Sequence, residues 1–73
     1  MQRISGPFDG FYIATYTTQS PLGHLAFSKA CTQRPAHVWD GTPGVVKVMA
    51  GPCDSEVVAI LFGVDKALSA INE

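Results

Sequence analysis

Four side chains in this sequence could ligate a metal or take part in nucleophilic chemistry: His24, Cys31, His37 and Cys53. Their successive separations are seven, six and sixteen residues. Structural zinc sites use paired ligands two to four residues apart, and no such pair occurs here. A strand running from His24 to Cys31 would put those two on opposite faces. The expectation is no metal site and no cofactor.

Cys53 is the best candidate nucleophile, because it precedes a segment that reads as a helix, and a helix N-terminus lowers a thiol pKa. Its base would be His37, the histidine of the central loop. Asp54, next in sequence, opposes a thiolate. Buried, inert cysteines are the commoner outcome. The carboxylates have structural roles: Asp9 and Asp40 in turns, Asp54 as a helix cap, Glu56 at the positive end of the helix dipole, Asp65 and Glu73 on the surface. Gly41-Thr42-Pro43-Gly44 is too short to cradle phosphate and leads into a strand. The protein is not expected to be an enzyme.

Composition narrows the remaining classes. The chain has 73 residues, 47% apolar and 15% charged, with a formal net charge of −1. Ordinary domains carry about 25% charged residues. A small, weakly charged body tends to expose apolar surface, and such surface marks partners. Arg3, Lys29, Arg34, Lys47 and Lys66 are dispersed. Nucleic acid is therefore disfavoured, since it is held by clustered cations. No apolar run reaches the roughly 20 residues of a membrane span, and residues 1–7 lack the apolar core of a signal peptide. With two cysteines only, a reducing, cytoplasmic setting with free thiols is expected.

The elements follow from pattern. Residues 1–10 contain Gly6, Pro7, Asp9 and Gly10 and read as a loose leader, with the domain proper over 11–73. Residues 11–18 are β-branched or aromatic and predict a strand. Phe11, Ile13 and Thr15 would face the core, and Tyr12, Ala14 and Tyr16 a half-wet side. Pro21 to Gly23 supplies a turn, and 24–31 predicts an antiparallel partner strand. Residues 33–44 are rich in turn formers, with 36–39 as an optional short strand. Residues 45–50 predict another strand, ended by Gly51-Pro52.

Asp54 is the expected N-cap of a closing helix. Val57, Ile60, Leu61, Val64, Ala67, Leu68 and Ile71 follow helical spacing and form the expected core stripe. Gly63 would let a neighbouring element approach closely. The fold class is therefore α+β: a three-stranded antiparallel β-meander, or four-stranded if 36–39 is extended, packed on one C-terminal amphipathic helix. That β-β-β-α order resembles, in arrangement only, the second part of the double-stranded-RNA-binding fold over roughly residues 11–72. What the resemblance implies about RNA is contradicted by Asp54-Ser55-Glu56, which stand where that fold carries its basic cluster.

At 100° per residue, Val58 and Phe62 fall outside the stripe, one turn apart, on the flank carrying Asp65 and Ser69. They are the candidate interface. The leading functional expectation is a non-enzymatic interaction module that self-associates as a homodimer, with another protein as an alternative partner. The alternative is a small-molecule or peptide pocket walled by Tyr12, Tyr16, His37 and Trp39.

Overall fold

A computed structural model describes residues 1–38 and 41–72. Four strands, β1 (Gln2–Phe8), β2 (Phe11–Ser20), β3 (Gly23–Cys31) and β4 (Val46–Cys53), form one antiparallel sheet in chain order, followed by helix α1 (Glu56–Ile71). The fold is α+β, with the helix packed on one face of the meander.

The expected leader is wrong. Residues 2–8 form β1, paired with β2 from Gln2 opposite Tyr16 to Phe8 opposite Phe11. The reason lies in Asp9-Gly10. Both have positive φ, 50° and 86°, the backbone of a tight two-residue hairpin turn matched to strand twist. A bulge between Ser5 and Phe8, at Gly6-Pro7, interrupts the pairing. The fourth strand is therefore β1 and not 36–39. Residues 36–38 are bends and turn, and Trp39 lies outside the described residues. β4 also runs through Gly51-Pro52 to Cys53, where it was expected to stop, with an irregularity opposite His24 and Ala26.

The β2–β3 hairpin forms as expected, from Tyr12 opposite Cys31 to Ser20 opposite Gly23. The Ser20 hydroxyl ties the turn, accepting from the Leu22 N–H at 3.3 Å and donating to the Gly23 carbonyl at 2.9 Å.

Register sorts the side chains into two faces. Arg3, Thr15, Ser28 and Val48 form one inner row, and Ser5, Ile13, Ala30 and Val46 the next. Ile13 and Thr15 are fully buried, as their strand pattern predicts, and Tyr12 and Tyr16 are half-buried on the other side. Ile13, Ala30 and Ala67 make the main core with Phe11, Val46, Val48, Val64, Leu68 and Ile71 around them. Ala26, Cys53 and Ala59 make a smaller one.

The helix starts one residue later than expected. Ser55, not Asp54, is the N-cap: its backbone is extended and its Oγ accepts from the Val58 N–H at 3.2 Å. A cap needs its oxygen one turn below an orphan N–H, and Ser55 holds that position. Glu56 occupies the first turn, where a carboxylate favours the dipole. It also meets the Met1 ammonium at 3.5 Å.

The buried side of α1 consists of Ala59, Ile60, Gly63 and Ala67. Val57 and Leu61, expected in the core stripe, are exposed. The physical cause is the closeness of the helix. Three of the four buried residues are Ala or Gly, and they oppose Ala26, Ser28 and Ala30 of β3. The contact line centres on the small residues, which leaves Val57 exposed and puts Leu61 at the margin of a groove shared with Arg3, Ser5 and Phe8 of β1.

Candidate functional site

The exposed side of α1 is apolar over its first two turns, with Leu61 at the edge that borders β1. Val57 is 55% exposed, Val58 39%, Leu61 53% and Phe62 56%. On a helical projection these four centre about 180° from Ala59, Gly63 and Ala67. Val58 and Phe62 were the expected interface residues, and both stand in the open. Val57 and Leu61 were missed. The signal for them was the Ala59-x-x-x-Gly63-x-x-x-Ala67 spacing, which marks the true contact line. Beyond Phe62 the same side turns polar, with Asp65, Ser69 and Asn72.

The sheet edges are guarded. β1 carries the bulge at Gly6-Pro7, and a proline has no N–H to offer a further strand. On β4, the other edge, Lys66 reaches over from the helix and donates to the Met49 carbonyl at 2.8 Å. Charge and covering at an edge oppose strand addition. The helix face has no comparable guard.

The outer face of the sheet bears Tyr12 and Tyr16. Tyr16 stacks on Phe27 with ring centroids 5.2 Å apart and planes 20° apart. Tyr12 instead lies under the Arg34 guanidinium, 5.9 Å from ring centroid to Cζ. The two tyrosines are about 13 Å apart along β2, at about 3.3 Å per residue, and do not form one wall. A cavity of about 250 Å³ takes in Tyr16 and Phe27 but neither Tyr12 nor His37. His37 is exposed in the β3–β4 connection, and Trp39 lies outside the described residues. The second wall of this cavity is Val38, with Lys29 and Lys47 at its rim.

The candidate nucleophile fares differently from its expected base. Cys53 is a free thiol, buried against Ala26 and Ala59. Its cross-strand partner is His24, not His37. His24 Nδ1 is buried with no hydrogen-bond partner, so no Cys–His hydrogen bond forms through it. Cys31 is likewise buried and outside any disulfide. Among the described residues, no group of three or more His, Cys, Asp or Glu side chains converges to hold a metal ion. No helix among the described residues is long and apolar enough to cross a membrane.

The fold and its surfaces thus define a small α+β meander-and-helix domain whose most distinctive feature is the outward helix face. No protein-family model, curated protein or solved structure matches the chain.

Proposed function

We propose that this protein is a non-enzymatic interaction module that self-associates as a homodimer through the outward face of α1. One observation carries the reading: the helix already packs Ala59, Ile60, Gly63 and Ala67 on the sheet, with Val64, Leu68 and Ile71 beside them, and still leaves Val57, Val58, Leu61 and Phe62 exposed. A helix held only by its own sheet would gain more by burying the large side chains. Apolar side chains on both sides are what a helix with two packing partners needs.

A second copy of the chain is the occupant that fits. The four apolar side chains carry no charge and Asp65 borders them at one end, so a twofold axis that sets the helices antiparallel keeps the two Asp65 carboxylates at opposite ends of the contact. Ridges formed by Val58 and Phe62, four residues apart, can pack beside Val57 and Leu61 of another helix. The guarded edges leave strand addition as the weaker route. Cys31 and Cys53 are buried and form no disulfide, which supports a reducing, cytoplasmic setting. The burial of Cys53, and the place of its expected base His37 in the β3–β4 connection, support a role without catalysis.

Sedimentation equilibrium or light scattering at about 100 μM should return twice the chain mass. Phe62→Asp should return the monomer mass with an unchanged circular dichroism spectrum, because Phe62 makes little of the core. A wild-type chain that stays monomeric at that concentration removes the reading. A dimer indifferent to Phe62→Asp moves the interface elsewhere.

A further inference from the structure

The sheet has a second face, opposite the helix. Register places Ala14, Lys29 and Lys47 in one row across β2, β3 and β4, and Tyr16, Phe27 and Met49 in the next. The about 250 Å³ cavity opens over these two rows, closed on one side by Val38. We propose that this cavity binds a small aromatic monocarboxylate, with its ring against Tyr16 and Phe27 and its carboxylate on the Lys47 ammonium.

Charge argues for the anion. Lys29 and Lys47 are direct cross-strand partners. Opposed residues on one face have Cβ atoms about 5 Å apart, and like charges there destabilise a sheet. The Lys29 ammonium is engaged, donating to the Thr42 carbonyl at 3.0 Å. Lys47 makes no hydrogen bond or ion pair among the described residues, and its side chain is exposed. No described acidic residue lines the cavity. In a chain of net charge −1, two of the five Lys and Arg residues therefore meet at one rim. The Lys47 ammonium is the group left to meet an anion.

Shape and polarity argue for the ring. The floor is Ala14 with the stacked Tyr16–Phe27 pair, an apolar surface against which a further ring can pack. The volume falls just below the roughly 300–1,000 Å³ of sites for drug-sized molecules. One ring bearing one small polar group fills it. Free phosphate would satisfy the charge and leave the floor uncovered. A neutral ring would cover the floor and leave Lys47 unmatched.

The site lies on the far side of the sheet from Phe62, so it stands apart from the proposed dimer face. Benzoate is the probe, benzamide its neutral isostere, and inorganic phosphate the anion without a ring. The measurement is a titration of the ¹⁵N-labelled chain followed by amide shifts, to about 10 mM because fragments of this size bind weakly. Benzoate should shift Tyr16, Phe27, Val38 and Lys47 saturably. Benzamide should bind about threefold or more weakly, the discrimination expected of an exposed ion pair. Phosphate should not saturate. Lys47→Gln should lower benzoate affinity to that of benzamide, and Phe62→Asp should leave it unchanged. Equal binding of benzoate and benzamide, shifts confined to other residues, or no saturation would each overturn the proposal.

Discussion

A Cβ placed on Gly63 would stand 2.7 Å from the Ser28 hydroxyl oxygen, and that oxygen is held 2.8 Å from Thr15 Oγ1 inside the core. The helix is thus seated on a hydroxyl pair, at a distance that no other residue type permits. This contact sets the rotation of α1. It also decides which apolar side chains go inward and which are left for another molecule.

Gly63→Ala should destabilise the domain even though alanine is the better helix former by about 1 kcal/mol. The added methyl would also meet Ala26 Cβ at 3.1 Å and Thr15 Cγ2 at 3.3 Å, and neither can swing away. Overpacking of this kind costs about 1–3 kcal/mol, so the net loss should be about 1 kcal/mol. Urea unfolding measures it. Removing the hydroxyl in the double variant Gly63→Ala, Ser28→Ala should recover part of the loss, a positive coupling between the two positions. A more stable Gly63→Ala would mean that the helix rides higher than described.

Ser55→Ala should cost about 1 kcal/mol, the usual worth of an N-cap, while Asp54→Ala should cost a few tenths. The Ser55 oxygen satisfies the Val58 N–H, and Asp54 is exposed one step too early. Thermal or urea unfolding of the two variants side by side separates them. The reverse order of costs would return the cap to Asp54.

Strand and helix types were legible from residue pattern because 11–18 and 57–71 carry strong periods. Ile13 and Thr15 were readable as core from alternation alone. β1 was hidden because Gly6 and Pro7 break its pattern with a bulge, although Asp9-Gly10 is a strong hairpin signal. Of the expected helix stripe, Ile60, Val64, Ala67, Leu68 and Ile71 lie at the core, and Val57 and Leu61 do not, because the closest approach is at Ala59, Gly63 and Ala67. No one-dimensional pattern shows how close two layers sit. The outer cavity was out of reach for the same reason: Val38 and Lys47 are joined by a connection whose path the sequence does not specify.

The Asp9-Gly10 turn offers a check on β1. Gly10 has φ of 86°, which a side chain resists, and nothing crowds its Cβ position. Gly10→Val should therefore cost about 1–2 kcal/mol through backbone strain alone. Hydrogen exchange should quicken at the β1–β2 amides and spare β3 and β4. Uniform exchange in wild type and variant would leave β1 without the pairing described.

Helix positions 60 and 61 give the sharpest test of the rotation. Ile60 is buried and Leu61 is open. Ile60→Ala should cost about 2–4 kcal/mol of stability, as core truncations do. Leu61→Ser should cost about 1 kcal/mol or less in the monomeric Phe62→Asp background, since an exposed side chain leaves no cavity. With Phe62 intact, Leu61→Ser should instead weaken association about tenfold or more, because a central apolar contact is lost. Chemical denaturation reads the first pair of effects, and sedimentation the last. If Leu61→Ser matches Ile60→Ala in the monomer, Leu61 belongs to the core and the outward face loses half of its larger side chains.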